Sequence, residues 1–239
     1  MQISKRLEAV ADMVTSGCKV ADIGTDHGYI PIYLAEAGRI PGAIAMDVNT
    51  GPLDRAKENI RLHGLKQKIE TRLSDGLASL EPGEADCIII AGMGGPLSVR
   101  ILTEGEECLK KCRELILQPQ SEIRQVRAFL EENGWIIIRE EMILEDGKYY
   151  PMMKAVHREK DSTKMNELEL RYGPLLLAAR HPVLHQFLKK ERDTSLRICD
   201  SLAGQNSEQA VRRRKELEKE RNLIRKALEL FPAETDRNN

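Results

Sequence analysis

The amino-acid sequence predicts a doubly wound α/β domain followed by an α-helical domain. Up to about residue 157, short apolar runs alternate with helical patterns, which is typical of a largely parallel sheet. From Asn166 onward the composition is strongly helical and the strand pattern disappears. A polar segment, residues 159–164, lies between the two regions and indicates a linker. We therefore expect one domain over residues 1–158 and a second over residues 159–239.

Seven strands are expected in the first domain. Five of them alternate with helices, namely Lys19–Gly24, Ala43–Asp47, Ile69–Ser74, Asp86–Ala91 and Glu114–Gln118. The last two, Trp135–Leu144 and Tyr149–His157, are joined by a Glu-Asp-Gly-Lys turn and indicate an antiparallel hairpin. Among the expected helices are Pro31–Ala37, Pro52–His63 and Ser121–Asn133, the last with a capping serine at its start.

The second domain contains two repeats with heptad-like spacing. One repeat consists of Leu184, Leu188, Glu191, Ser195, Ile198 and Leu202. The other consists of Ala210, Arg214, Leu217, Arg221, Ile224 and Leu228. The segment Leu202–Ser207 separates them. The pattern predicts an antiparallel, coiled-coil-like pair of helices whose seam is interrupted by polar residues.

Composition limits the classes of function. The 239 residues suffice for one sizeable core and a small second module. Because there is no apolar run of about 18 residues and no secretory signal pattern, we expect no membrane partner and a cytoplasmic location. The five cysteines lack a CxxC pair and predict reduced thiols and no metal site. The net charge of −1 hides basic clusters at Lys5–Arg6, Lys189–Lys190 and Arg212–Lys215, so a nucleic-acid partner stays open.

The first strand ends in the motif DIGTDHG, residues 22–28. Gly24 and Gly28 let the backbone turn tightly beside a ligand. Dinucleotide enzymes use G-x-G-x-x-G at this place to hold a pyrophosphate, whereas this loop has G-x-x-x-G spacing and contains Asp26. A carboxylate repels a diphosphate but suits S-adenosylmethionine, which carries an ammonium and a sulfonium. The loop therefore favours S-adenosylmethionine over NAD as the cofactor.

Two further carboxylates follow the next two strands. Asp47 ends the second strand, where a carboxylate can accept hydrogen bonds from both ribose hydroxyls. Asp75, followed by Gly76, comes after the third strand, where it can accept one from the adenine amino group. Either acid alone is more often a turn former or a helix cap. Acids at three successive strand ends, however, indicate a single nucleoside site.

A glycine-rich motif, AGMGG, follows the fourth strand at residues 91–95. Nucleic-acid enzymes that methylate an exocyclic amine carry an Asn/Asp-Pro-Pro-aromatic motif here, and this chain lacks it. The bare backbone leaves room beside the transferable methyl group. Such a site suits a nucleophile that already has a free lone pair, for example a ring nitrogen, although a simple flexible loop is the alternative interpretation.

In combination, several motifs resemble the TrmK family of bacterial tRNA adenine-N1 methyltransferases, which modify the adenine at position 22. The motifs are DIGTDHGYIPIYL, AMDVN, SDGL, IIAGMGG, LILQPQSE and the DGKYYP hairpin. The resemblance covers nearly the whole chain. It implies a class I, Rossmann-like methyltransferase domain with a seven-stranded sheet and a C-terminal coiled-coil domain that helps to grip tRNA.

The resemblance also suggests which residues form the site. Its cofactor motifs fall on Asp22, Gly24, Asp47, Asp75 and Gly92, and its target-base loop falls on Asp26, His27 and Tyr29. We expect further cofactor contacts from Thr25, His27, Gly28, Val48, Gly76, Ala91 and Met93. We expect further substrate contacts from Met93, Lys5 and Arg6.

The expected mechanism rests on positioning and electrostatics. Adenine N1 carries a lone pair at neutral pH, so methyl transfer requires no strong general base. Asp26 is the candidate catalytic residue, because its carboxylate would stabilise the positive charge that methylation places on the ring. Alternatively, Asp26 is a turn residue or a ligand of the cofactor ammonium. The base must leave the tRNA stack to react, and Tyr29 or Met93 could offer it a packing face.

Two other functions stay open from the sequence. One is a methyltransferase that acts on a small molecule or a protein and uses the helical tail for oligomerisation. The other is a non-catalytic RNA-binding protein that retains a cofactor fold, which the complete set of cofactor acids disfavours. We expect a monomer that binds tRNA.

Overall fold

The computed structural model describes residues 1–157, 164–205 and 207–232. The chain divides into two compact units, Met1–Lys164 and Met165–Asn239. The expected domain boundary after residue 158 and most of the expected linker at 159–164 lie outside the described residues. So does residue 206 in the segment expected to separate the two long helices.

The first unit contains a seven-stranded sheet with the strand order β3-β2-β1-β4-β5-β7-β6. The strands are β1 (Val20–Ile23), β2 (Ala43–Asp47), β3 (Ile69–Leu73), β4 (Cys87–Ala91), β5 (Glu114–Gln118), β6 (Trp135–Glu145) and β7 (Lys148–His157). The first five run parallel, and β7 pairs antiparallel with both β5 and β6. The doubly wound mixed sheet expected from the sequence is confirmed, including its terminal hairpin.

Six helices flank the strands within the described part of the first unit. They are α1 (Lys5–Asp12), α2 (Tyr29–Glu36), α3 (Thr50–Leu62), α4 (Gly95–Glu104), α5 (Glu106–Leu109) and α6 (Ile123–Glu132). Helix α1 was not among the helices expected from the sequence. It begins after Ser4, whose hydroxyl accepts a hydrogen bond from the Leu7 amide at 3.3 Å, a normal N-cap.

The expected serine cap of α6 is wrong. Helix α6 begins at Ile123, and its N-cap residue is Glu122, which has a positive φ of 48° and makes no side-chain cap. The carbonyl oxygen of Ser121 instead accepts a hydrogen bond from the Gly95 amide at 2.9 Å. A local capping rule fails here because Ser121 belongs to the loop that packs against the glycine-rich turn after β4.

The core lies on both faces of the central strands. Every residue of β1 and β5 is buried, as are the first four of β4, which is expected for strands covered by helices on both sides. Charged residues enter this interior as pairs: Glu114 with Lys154 at 2.8 Å, and Arg127 with Glu140 at 2.9 Å. The five cysteines are free thiols, and four of them are buried.

All the regular secondary structure in the described residues of the second unit is helical. Its helices are α7 (Glu167–Tyr172), α8 (Pro174–Ala178), α9 (Pro182–Ser201) and α10 (Glu208–Leu228). Helices α9 and α10 pack against each other. Their buried positions include Leu184, Leu188 and Ser195 on α9 and Ala210, Leu217 and Ile224 on α10, all members of the predicted repeats. A coiled-coil arrangement of these helices stays a prediction.

Candidate active site

A cavity of about 310 Å³ opens at the carboxyl ends of β1 and β4. These neighbouring strands lie where the strand order reverses, the usual ligand position in open α/β sheets. The lining residues come from α1, the end of β1 and the loop after it, the start of α2, the end of β4 and the loop after it, and the loop after β5. They are Arg6, Leu7, Asp22, Gly24, Thr25, Asp26, Tyr29, Ile30, Ala91, Gly92 and Gln120.

The loop after β1 makes a tight left-handed turn. Gly24, His27 and Gly28 all have positive φ, of 73°, 63° and 67°. Histidine rarely adopts this conformation, and a hydrogen bond of 2.9 Å from the Asn59 amide to the His27 carbonyl oxygen holds it there. A Cβ on Gly24 would overlap the methyl group of Met93. Glycine at this position therefore lets the loops after β1 and β4 close against each other.

Asp22 is a buried carboxylate at the floor of the cavity. Within the described ranges it forms no ion pair, and burial raises its pKa to about 6. The Thr25 hydroxyl opposes this rise, whereas the negative charge of Asp47 adds to it. Burial without a cationic neighbour favours the neutral form of a carboxylic acid. The ionised form of Asp22 would be stabilised by a positively charged ligand.

Asp26 is exposed at the rim of the cavity and is held by α3. Its Oδ1 accepts hydrogen bonds from Arg55 Nη2 at 2.8 Å and Nε at 3.3 Å. The His27 Nε2 lies 3.5 Å from the same oxygen. The other carboxylate oxygen makes no hydrogen bond to a described residue and is open to a ligand. Stacking of the His27 ring on Tyr29, with centroids 5.0 Å apart, extends the rim.

The two expected nucleoside acids have different surroundings. Asp47 Oδ1 accepts a hydrogen bond from the Asn49 amide at 2.8 Å, and the adjoining Val48 side chain is exposed. Asp75 forms a bidentate pair with Arg100 at 2.8 and 3.3 Å. This pair occupies one lone pair on each Asp75 oxygen. Because a carboxylate has about four acceptor sites, Asp75 can still accept from a nucleobase amine.

The opposite wall of the cavity is built around Arg6. Its Nη1 donates to the fully buried Gln118 Oε1 at 2.8 Å, and its guanidinium lies 5.5 Å from the Tyr150 ring centroid. The Gln120 amide donates to the Met93 carbonyl oxygen at 2.8 Å. The loop after β5 is therefore fixed to the loop after β4, and a cation faces the cavity that also contains Asp22.

The structure brings together about half of the residues expected from the sequence. Those that line the cavity are Arg6, Asp22, Gly24, Thr25, Asp26, Tyr29, Ala91 and Gly92. Those that lie outside its lining are Lys5, His27, Gly28, Asp47, Val48, Asp75, Gly76 and Met93. Lys5 is exposed, and its backbone amide donates to Glu145. Met93 adjoins the site because its methyl group lies against Gly24.

Sequence reasoning missed five polar residues that shape the site, Arg55, Asn59, Arg100, Gln118 and Gln120. Arg55 and Asn59 are four residues apart on α3, so they share one helix face and hold consecutive residues of the turn after β1. The spacing of these two residues on the helix after Asp47 could have predicted from the sequence that they act together. Arg100 has no comparable signal, because its partner Asp75 is 25 residues away in the sequence.

The residues present fit S-adenosylmethionine. The donor has an α-amino-acid end with one positive and one negative group, and the cavity holds one buried anion, Asp22, and one cation, Arg6. The backbone is bare at Gly24 and Gly92, where side chains would fill the space. A diphosphate would place two negative charges beside Asp22 and Asp26. Among the described residues, no group of three His, Cys, Asp or Glu side chains could hold a metal ion.

The chain is similar to known methyltransferases over nearly its full length. A family model described as methyltransferase domain matches residues 3–153. The sequence is 32% identical over 233 residues to the tRNA (adenine(22)-N(1))-methyltransferase of Bacillus subtilis, covering 96% of this chain and 98% of that protein.

Two solved structures with bound cofactor or product resemble this one. A Streptococcus pneumoniae protein in complex with S-adenosyl-L-methionine superposes with a TM-score of 0.85 at 37% identity, covering 95% of this chain and 100% of its own. The TrmK protein of M. capricolum in complex with S-adenosyl-homocysteine has a TM-score of 0.84 at 27% identity, covering 97% and 100%. Similarity therefore extends across both units.

Proposed function

The chain belongs to the TrmK family of tRNA (adenine(22)-N(1))-methyltransferases, and on that basis we propose that it methylates N1 of an adenine in tRNA. S-adenosylmethionine supplies the electrophilic methyl group. Position 22 is carried over from the Bacillus subtilis relative. The Bacillus subtilis relative matches nearly the whole chain and acts on tRNA by its name, so it favours tRNA over the alternative acceptors, a small molecule or a protein.

The observation that carries the proposal is the pairing of charges in the cavity. Asp22 and Arg6 suit the ammonium and the carboxylate of the amino-acid end of the donor. Arg6 was expected to contact the substrate, and this wall position suits it for the cofactor as well. We propose that Asp47 accepts from the ribose hydroxyls, with Val48 packing on the base. Asp75 would accept from the adenine amino group beside Arg100.

We propose that Asp26 acts on the target adenine. Its Oδ1 is held by Arg55, its other oxygen makes no hydrogen bond to a described residue, and Asp26 lines the cavity. A carboxylate in this position can stabilise the charge that develops on the ring and accept a hydrogen bond from the adenine amino group. Arg55 offsets part of the negative charge, so hydrogen bonding gains weight relative to pure electrostatics. Tyr29, exposed beside His27, offers the extruded base a stacking face.

The second unit is proposed to hold the tRNA. An open groove of about 1200 Å³ lies along α9 and α10. Its cations are Arg192, Lys215, Lys219, Arg221 and Arg225, against two acids, Glu218 and Glu229. Such a cationic excess suits a phosphate backbone. Within the described residues, no helix is long and apolar enough to cross a membrane.

Methyl transfer to bulk tRNA with a tritiated donor tests the function directly. Label should appear in tRNA, and digestion to nucleosides should identify 1-methyladenosine. Label on protein or on small molecules would favour an alternative acceptor. Absence of any transfer, with cofactor binding intact, would indicate a non-catalytic RNA-binding protein.

A further inference from the structure

We propose that Gln120 is the specificity-determining residue that reads the adenine ring on the edge opposite its reacting nitrogen. This inference rests on the proposed function and identifies how the site recognises its base. Gln120 lines the same cavity as Asp22, Gly24 and Asp26. Its role is to present one hydrogen-bond donor and one acceptor to the base while N1 stays free.

The backbone of Gln120 is fixed while its side chain is uncommitted. The amide of Gln120 donates to Met93 O at 2.8 Å, which ties the loop after β5 to the loop after β4. The Gln120 side chain is exposed and makes no hydrogen bond to another described residue. Gln118, two residues earlier, is fully buried and holds Arg6. The two glutamines therefore differ in role, since one supports the wall and the other faces the ligand.

Gly92 lies beside the Gln120 side chain in the lining of the cavity. A Cβ at Gly92 would lie 3.7 Å from Gln120 Nε2 and 3.6 Å from Arg6 Nη1. Gly92 also has a positive φ of 83°, which disfavours other residues. Backbone without a side chain therefore lies beside the Gln120 amide at the carboxyl end of β4.

The chemistry of the base selects the edge that Gln120 would contact. A glutamine amide pairs with adenine by donating to N7 and accepting from the N6 amino group. This geometry leaves N1, on the other side of the ring, free to receive the methyl group. Guanine presents acceptors at both O6 and N7 and would repel the amide oxygen, whereas pyrimidines lack N7. The amino group has two hydrogens, so Asp26 and Gln120 can accept from it together.

The test is a cycle between the Gln120 side chain and the N7 atom of the substrate. The substrates are two tRNAs that differ only at the methylated position, which carries adenosine or 7-deazaadenosine. For the unaltered enzyme, kcat/KM should fall by roughly tenfold when N7 is replaced by carbon. Gln120→Ala should be slower by a similar factor on adenosine, and the replacement should lower its kcat/KM about tenfold less than it lowers that of the unaltered enzyme. Since the replacement also alters the basicity of N1, only the ratio between the two enzymes counts.

Two controls separate this role from others. Gln125→Ala removes an exposed glutamine of α6 outside the cavity lining and should leave the penalty for 7-deazaadenosine unchanged. Calorimetry with S-adenosyl-homocysteine should give the same affinity for Gln120→Ala as for the unaltered enzyme.

Two results would overturn the assignment of Gln120. One is a 7-deazaadenosine penalty that is as large in Gln120→Ala as in the unaltered enzyme, and the other is a loss of cofactor affinity in that variant. A different result, no 1-methyladenosine from the unaltered enzyme on the adenosine tRNA, would overturn the proposed function itself and the inference with it.

Discussion

Glu114 and Asp22 are buried carboxylates of the first unit, and their pKa values shift in opposite directions. At Glu114, burial alone would raise the pKa, but hydrogen bonds from Lys154 and Thr15 outweigh it and the pKa is lowered. At Asp22, burial dominates and the pKa rises to about 6. The difference is the presence of a cation. In the Glu114 cluster, which comprises Glu114, Lys154 and Thr15, the protein supplies that cation itself.

The two carboxylates differ in role, because Glu114 stabilises the fold and Asp22 lies in the proposed cofactor site. The Glu114 cluster joins the first residue of β5 to two other segments. Lys154 connects it to β7. Thr15, in the segment that follows α1, donates to Glu114 from both its amide and its hydroxyl. The groups of the cluster are satisfied internally. Asp22 lies in the cavity at the carboxyl ends of β1 and β4 without such a partner, so a positively charged ligand can supply the missing cation. Ligand-binding sites often retain a charged group that has no partner within the protein, at a cost in folding stability.

Removing the cation from the Glu114 cluster should give the largest effect. Lys154→Met leaves Glu114 buried without its ion pair and should lower the free energy of unfolding by about 3 kcal/mol at pH 7. Urea denaturation measures the change. The loss should shrink at acidic pH, where Glu114 becomes protonated. The double variant with Glu114→Gln should recover part of the stability. A loss below about 1 kcal/mol would mean that the pair behaves like a surface ion pair.

Asp26 should show the reverse pattern, with a large effect on rate and a small one on stability. Asp26→Ala should lower kcat by about 100-fold and leave the melting temperature nearly unchanged, because the Asp26 side chain is 62% exposed. Asp26→Asn keeps the shape and a hydrogen bond but loses the charge. A strong loss in both variants supports the charge role, and near-normal turnover of Asp26→Asn supports hydrogen bonding. If either variant fails to bind cofactor, Asp26 is a cofactor ligand.

Asp47 should affect cofactor binding with little change in folding. Asp47→Ala removes the acceptor proposed for the ribose hydroxyls and should weaken S-adenosylmethionine by roughly 1.5–3 kcal/mol. Isothermal titration calorimetry measures this directly, with NAD as the comparison ligand. Unchanged affinity, or tighter binding of NAD, would contradict the nucleoside site proposed at this strand end.

The titration of Asp22 should produce the smallest effect, but the direction of its pH dependence is fixed because its pKa is raised. Its pKa is about 6 in the folded protein, against an ordinary value of 3.8. Between these values the folded state binds more protons than the unfolded state, so the stability of the ligand-free protein should fall as pH rises.

Cofactor affinity should move in the opposite direction as pH rises through the folded-state pKa of about 6. Because ionised Asp22 attracts the ammonium, affinity should rise about fourfold from pH 5.5 to 7.5. Asp22→Asn should remove both trends, as calorimetry and thermal melts at several pH values would reveal. A pH-independent affinity in the unaltered protein would mean that Asp22 does not contact the charged ligand.

Much of the first unit was predictable because its signals are local. Apolar runs set the strands, and the positions of β2 and β5 agree with the sequence at both ends. The turn Asp146-Gly147 has positive φ at both residues, as its composition indicates for a hairpin. The capping of α6 was not predictable, since the rule for Ser121 was overridden by a hydrogen bond from Gly95, 26 residues earlier.

The sequence by itself determined which strand ends carry acids and glycines, because residue types and their spacing along the chain are enough to place them at one edge of a sheet. Only the tertiary structure decided which polar side chains meet. Arg55 with Asp26, Arg100 with Asp75 and Gln118 with Arg6 join residues 29, 25 and 112 positions apart. Such pairs depend on the packing of whole helices against the sheet, which no local pattern encodes.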